Sequence, residues 1–334
     1  MEAFQRLENE FADWNSLDPK GMVACSSGTA ALHLAFEAMQ LPLGSQVIVP
    51  DLTMVACPRA VTLAGLMPKF VDCDDRLRMC PDAIKRILPG EKQPWSPKAV
   101  LAVHIYGRIC HEDVGWIAKD HDMKVIEDLA ECHNGAVSRF SNAACWSFYK
   151  NKIIHGEEGG AVWFRNPDHA KLARQLRSLG FTDDHDFTHI PRGHNYRMSN
   201  CHAELILKSL AEANENIERR ACVERWYDEQ IEEHYQMPKR DAVWVYDLRV
   251  PRMKSAQQDR LIKNLRASGV EARHCFKPMT TQEEYRGLQP VSLNALRLSQ
   301  EVIYLPVHPS MTEADVTRIV AKFSDALRCS TESL

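Results

Sequence analysis

Short apolar segments separated by helical patterns constrain this chain more than any other feature. Residues 46–49, 69–72, 99–104 and 125–127 are short runs dominated by Val, Ile, Leu, Phe and Ala. Between them, residues 55–64, 81–88 and 112–121 carry helical periodicity. Strands alternating with helices predict a doubly wound α/β fold: a large mixed, mostly parallel sheet with helices on both faces and right-handed crossovers. The run at 99–104 is apolar throughout, which marks a central parallel strand. Ligands of such sheets collect at the carboxyl ends of the strands, so the residues just past each run are candidates for function.

The pattern changes after residue 164. Residues 167–179 read as a helix, and 180–193 are polar and aperiodic, as in a long functional loop. Residues 199–234 read as one long helical stretch bridging two domains. The remainder mixes strands (243–246, 270–273) with helices (257–267, 313–327), as in a smaller α+β unit. The expected division is a large domain over 1–225 and a small C-terminal domain over 226–334, which suits a chain of 334 residues. A short amphipathic helix is expected over residues 1–14, and a Pro-rich connection over 91–98.

Composition narrows the partners. The formal net charge is −4, so there is no basic footprint for nucleic acid. No apolar run reaches membrane-spanning length, and the opening Met1-Glu2-Ala3-Phe4-Gln5-Arg6 does not resemble a signal peptide. Eleven scattered cysteines without a Cys-x-x-Cys pair suggest reduced thiols in a cytoplasmic protein. Trp95, Trp116, Trp146 and Trp163 are dispersed and read as core or surface, not as a stacking platform for bases.

Three segments carry chemistry. In Ser147-Phe148-Tyr149-Lys150-Asn151-Lys152-Ile153-Ile154-His155-Gly156-Glu157-Glu158-Gly159-Gly160, strand-forming residues flank a polar loop. A lysine there is partly desolvated, which favours a neutral amine able to attack a carbonyl. In Cys25-Ser26-Ser27-Gly28-Thr29-Ala30-Ala31-Leu32, small polar residues run into an Ala/Leu-rich helix, a helix N-terminus suited to phosphate. In Lys124-Val125-Ile126-Glu127-Asp128, a strand ends in a carboxylate that needs a positive partner, such as a protonated pyridine nitrogen. Lysine, phosphate cradle and carboxylate together describe a site for pyridoxal 5'-phosphate.

The same segments, in the same order, resemble the DegT/DnrJ/EryC1/StrS family of pyridoxal phosphate-dependent sugar aminotransferases. Further matches are Val47-Ile48-Val49-Pro50, Val103-His104-Ile105-Tyr106-Gly107, Gly193-His194-Asn195-Tyr196-Arg197-Met198-Ser199-Asn200, Phe276-Lys277-Pro278-Met279 and Leu305-Pro306. The resemblance implies a fold-type-I architecture, that of aspartate aminotransferase. It implies transfer of an amino group from L-glutamate or L-glutamine to a keto sugar, expected to be nucleotide-linked. Lys152, not Lys150, stands at the family's spacing and would anchor the cofactor and move the proton. Asp128 would hold the pyridine nitrogen protonated, and Glu131 would lie near the ring hydroxyl. Gly28, Thr29 and Ser147, helped by the Ala30 N–H, would hold the phosphate. Asn195 would reach the cofactor from a neighbouring subunit, so a homodimer with shared active sites is expected. Arg197 and His155 would meet substrate.

The chain departs from the family pattern in places. Met54 stands where an aromatic residue usually covers the ring. Glu157 replaces a glycine that permits positive φ. Asn134 is inserted before Gly135, and Ile206 replaces a glycine of the subunit-contact helix. Two other activities remain open: sugar dehydration or deoxygenation on the same fold, against which Lys152 argues, and a non-catalytic homologue with a regulatory or structural role. His133, beside Glu131, reads either as an acid/base or as a hydrogen-bonded structural residue. His185 and His189, following Asp183 and Asp184, have metal-ligand spacing but no helical pattern; a polar substrate loop is the expected reading, and no metal is assigned.

Overall fold

The computed structural model describes residues 2–88, 96–182 and 187–331. Trp95, most of the 91–98 connection, and Asp183, Asp184 and His185 lie outside these residues.

Seven strands form the main sheet: β1 (Met22–Cys25), β2 (Gln46–Pro50), β3 (Met67–Val71), β4 (Ala99–Val103), β5 (Lys124–Asp128), β6 (Ala143–Ser147) and β7 (Gly160–Phe164). Their order is β1-β7-β6-β5-β4-β2-β3, and β7 alone runs against the other six. The helices α1 (Ala3–Trp14), α2 (Gly28–Ala38), α3 (Ala56–Leu63), α4 (Pro81–Ile87), α5 (Glu112–Asp120) and α6 (Pro167–Arg177) surround it. Alternation along β2 shows why both faces are covered. Val47 and Val49 join a core with Leu34, Phe36 and Ala60 of α2 and α3, whereas Ile48 joins a second core with Ile84 and Val114 of α4 and α5. The expected doubly wound sheet is therefore present, with the anticipated lysine hairpin formed by β6, the loop 148–159 and β7.

The stretch expected as one helix over 199–234 is two, α7 (Asn200–Ala211) and α8 (Ala213–Gln230), broken at Glu212. Beyond it, β8 (Tyr246–Arg249), β9 (Arg273–His274) and β10 (Val302–Leu305) form a three-stranded sheet packed with α9 (Ser255–Ala267), α10 (Leu293–Glu301) and α11 (Glu313–Thr331). A separate core fills this unit: Val223 and Tyr227 of α8, Leu248, Leu261, Leu265, Ile303 and Phe323. Two strand expectations shift here. Residues 243–245 are a bend, and only Tyr246 onward is strand; of 270–273, only Arg273 is. The bend turns the Trp244 ring towards the lysine loop, where its indole N–H donates to the Asn151 carbonyl at 2.7 Å.

A buried ion cluster joins the two units. Arg108, just past β4, donates to Asp247 of β8 at 2.9 Å and to the Pro238 carbonyl at 2.8 Å. Arg240 donates to the other Asp247 oxygen at 2.7 Å. Burial pushes the Asp247 carboxyl up, but the two guanidinium groups outweigh it and hold it below its ordinary value.

Candidate active site

Three strand ends and one loop converge on a cavity of about 410 Å³. Past β1, Ser27 caps α2: its hydroxyl accepts the Ala30 N–H at 3.1 Å, and its carbonyl accepts the Ala31 N–H at 3.0 Å. The Ala30 N–H, expected to help hold phosphate, is engaged by this cap. The N–H groups of Gly28 and Thr29 precede it and find no acceptor among the described residues. Ser147 closes β6 directly opposite. A Cβ on Gly28 would sit 2.7 Å from the Ser147 Cβ, so only glycine lets the helix end approach the hydroxyl this closely.

Asp128 closes β5 and is buried. One oxygen accepts the Ala130 N–H at 2.9 Å. The other accepts the Cys57 thiol at 3.1 Å, and the Thr53 hydroxyl donates to that sulfur at 3.2 Å. Burial pushes the Cys57 thiol up, and the Asp128 charge adds to the effect, so Cys57 remains a neutral donor. Sequence reasoning missed this residue because it looks like any small core cysteine.

Lys152 projects from the loop with 12% of its side chain exposed. Its Nζ lies 4.0 Å from a Glu131 oxygen and 4.2 Å from the centre of the Trp244 ring. The second Glu131 oxygen accepts the Tyr106 N–H at 2.7 Å. Burial raises the Glu131 carboxyl to about 7 against the opposing pull of Lys152 and the Tyr106 N–H. Behind the loop, His133 Nδ1 accepts the Ile154 N–H at 3.1 Å, which assigns the proton to Nε2. Burial, followed by the nearby Lys152, lowers His133 to about 3. It therefore stays neutral as a clamp on the loop, the structural one of its two readings. Lys150 is exposed and does not line this cavity.

Gly28, Thr29, Met54, Asp128, Glu131, Ser147 and Lys152 all line the cavity. Met54 stands at its mouth, 48% exposed, with its sulfur accepting the Ala56 N–H at 3.1 Å. Trp244, Arg273, Phe276 and Tyr304 complete the wall from the C-terminal unit. Three expected residues are elsewhere. His155 is exposed and lines an adjoining cavity of about 640 Å³, which shares Asn151, Lys152, Trp244, Arg273 and Tyr304 with the first. Asn195 is exposed and bridges to Ser178. Arg197 lines a separate hollow with Phe4, Leu179 and Phe187. Two departures also have structural counterparts. Glu157 adopts the positive φ, 66°, expected of a glycine there, and Ile206 of α7 packs where a Cβ on Gly156 would clash, at 2.3 Å.

This donor set fits pyridoxal phosphate. The two N–H groups and the Ser147 and Thr29 hydroxyls suit a phosphate dianion. A buried carboxylate suits a pyridinium nitrogen, and a primary amine in the same cavity suits an aldehyde.

Comparison with known proteins agrees. The profile of the DegT/DnrJ/EryC1/StrS aminotransferase family matches residues 2–324. A GDP-perosamine synthase of Caulobacter vibrioides is 35% identical, over 96% of this chain and 89% of its own length. PseC of Helicobacter pylori, an aminotransferase of pseudoaminic acid biosynthesis, superimposes with a TM-score of 0.90 at 18% identity, over 98% of this chain and 92% of its own. The putative sugar aminotransferase Spr1654 of Streptococcus pneumoniae, in its pyridoxal phosphate form, gives a TM-score of 0.88 at 20% identity, over 99% of this chain and 92% of its own.

Proposed function

Because this chain belongs to the DegT/DnrJ/EryC1/StrS aminotransferase family, we propose that it moves the amino group of L-glutamate or L-glutamine onto a keto sugar carried by a nucleoside diphosphate. Pyridoxal phosphate is its cofactor. The observation that carries the reading is the meeting of Lys152, Asp128 and the Gly28–Ser147 contact in one cavity, beside a second and wider one.

The residues divide the work as follows. Gly28, Thr29 and Ser147 hold the cofactor phosphate at the positive end of α2. Asp128 keeps the pyridine nitrogen protonated; the Cys57 thiol and the Ala130 N–H hold its two oxygens in place. Bound there, the cofactor supplies the carbonyl that receives the amino group and the ring that takes up electron density. Lys152 Nζ would anchor it and, once released, would take the proton from the amino-bearing carbon of the donor and, in the second half-reaction, deliver one to the former carbonyl carbon of the acceptor. Glu131 would hold the cofactor's ring hydroxyl, and Met54 would shield the cofactor at the cavity mouth. The adjoining cavity offers Lys150, Arg219 and Arg273 to the substrate's phosphates and His155 to its polar groups. The relatives named GDP-perosamine synthase support guanosine diphosphate as the carrier. Asn195 and Arg197 lie off their own cavity and act in that of a second copy, within a homodimer in the cytoplasm. Among the described residues, no helix is long and apolar enough to cross a membrane.

The test has two steps. Borohydride reduction of the protein loaded with pyridoxal phosphate, followed by peptide mass analysis, should find the label on Lys152 alone; a label on Lys150 overturns the assignment. Incubation with GDP-linked keto sugars and each donor should then yield a product whose mass shows amino replacing oxo. Loss of water without gain of nitrogen would instead make the protein a dehydratase.

A further inference from the structure

Helix α2 carries a second group of functional side chains, one turn apart and well past its capped end. His33 and Glu37 stand at i and i+4 and so share a face. Facing them is the segment that holds His194 and Tyr196. The ligand atoms of His33, Glu37 and His194 all lie within 4.8 Å of one another. His33 is 3% exposed. Its Nδ1 shares a hydrogen bond with the Tyr196 hydroxyl at 3.1 Å. Its Nε2 is buried without a hydrogen-bond partner, 3.8 Å from one Glu37 oxygen. The other Glu37 oxygen is 2.6 Å from His194 Nε2. Burial holds the His33 imidazole below its ordinary value against the opposing pull of the Glu37 carboxylate; the Leu63 carbonyl lies near the ring but makes no hydrogen bond of normal geometry to Nε2. The competing cation is the half-exposed Arg192 guanidinium, 3.9 Å from Glu37.

We infer that His33, Glu37 and His194 form a binding site for a divalent transition-metal ion, best suited to zinc. Two imidazole nitrogens and one carboxylate oxygen are a zinc-type donor set, whereas calcium and magnesium require oxygen ligands. Ligand atoms about 2.0–2.1 Å from a tetrahedral zinc are separated by roughly 3.3 Å. The two imidazole nitrogens approach different Glu37 oxygens, at 3.8 and 2.6 Å, and one donor atom from each residue lies within 4.8 Å of the others, so side-chain rotations that bring both imidazoles onto one oxygen admit the ion. Tyr196 is the outer partner that fixes the His33 ring. A water takes the fourth position, reached past His194, which is a quarter exposed. None of the three residues lines the lysine cavity, so the ion is a clip. It ties α2 to the segment bearing Asn195 and Arg197, a junction the protein also holds through the Ser26 N–H, which donates to the Tyr196 carbonyl at 2.8 Å.

The experiment uses the full chain with exposed Cys201 and Cys329 replaced by serine, so that surface thiols do not compete. Metal-free protein is titrated with zinc against a chromogenic chelator. One ion per chain should bind, and both Glu37→Gln and His194→Ala should weaken binding at least tenfold. Zinc should raise the melting temperature of the parent and leave that of Glu37→Gln unchanged. Cobalt in place of zinc should give the visible bands of a four-coordinate nitrogen–oxygen site, lost in Glu37→Gln. Glu37→Gln changes neither size nor backbone, and an unaltered circular dichroism spectrum establishes that it folds. A parent that binds no stoichiometric zinc, or zinc affinity unchanged by both substitutions, overturns the site.

Discussion

Glu131 faces two ways: towards Lys152 with one oxygen and towards the Tyr106 N–H with the other. With its carboxyl raised to about 7 from 4.5, the fold holds a proton that the unfolded chain has released. That stabilisation is complete below about pH 4.5 and disappears as pH rises through about 7. In cofactor-free protein, the stability of wild type relative to Glu131→Gln should therefore fall between pH 4.5 and pH 8. The fall should be on the order of 3 kcal/mol, read from urea unfolding across that range. Parallel stability curves for the two proteins would mean that Glu131 titrates as an ordinary carboxyl. Glu157 carries a different cost. Its φ of 66° lies where a side chain is penalised by roughly 1–2 kcal/mol. Glu157→Gly should raise stability by about 1 kcal/mol, less whatever glycine adds to unfolded-chain entropy. A lower melting midpoint would show that the glutamate side chain makes up for the strain. Both residues were legible in sequence only through the family resemblance, Glu131 from the position it occupies there and Glu157 from the glycine it displaces. Cys57 was not, because a thiol bonded to a buried carboxylate reads as any small apolar residue.

At the scale of elements, what the sequence revealed follows from how local each signal is. The hairpin of β6 and β7 and the end of β5 are signalled within a dozen residues each, and the cavity brings their expected residues together. The Trp244, Phe276 and Tyr304 wall arrives from segments 92 to 152 residues after Lys152, where only tertiary packing decides which ring faces inward. The break at Glu212 was hidden for a related reason: residues on both sides favour helix, and the interruption comes from α7 packing on the lysine loop while α8 packs on the C-terminal core. The contact of α2 with β6 offers a direct test. Gly28→Ala places a methyl 2.7 Å from the Ser147 Cβ, forcing the helix end away from the hydroxyl. Pyridoxal phosphate affinity should fall tenfold or more by fluorescence titration, with little change in helix content. Unchanged affinity would remove the α2 terminus from the phosphate site.

For the whole molecule, the proposed boundary at residues 225 and 226 falls inside α8, between Val223 and Tyr227, which share one core. The proposed dimer makes a prediction at this scale. Mixing an Asn195→Ala, Arg197→Ala chain with a Lys152→Ala chain should restore roughly one working site per mixed dimer, since one site collects both defects and the other none. After demonstrated subunit exchange, a mixture no more active than its parents would refute shared sites. The Arg108–Asp247–Arg240 cluster bears on anyone who recombines such enzymes to alter what they accept. A graft of the C-terminal unit onto a relative carries Asp247 and Arg240 with it but leaves Arg108 behind. Wherever the recipient lacks a guanidinium at that place, the graft strands a buried carboxylate without half its compensation, a defect worth about 3–5 kcal/mol. Chimeras of this scaffold should therefore be cut by side-chain partnership, not by position along the chain.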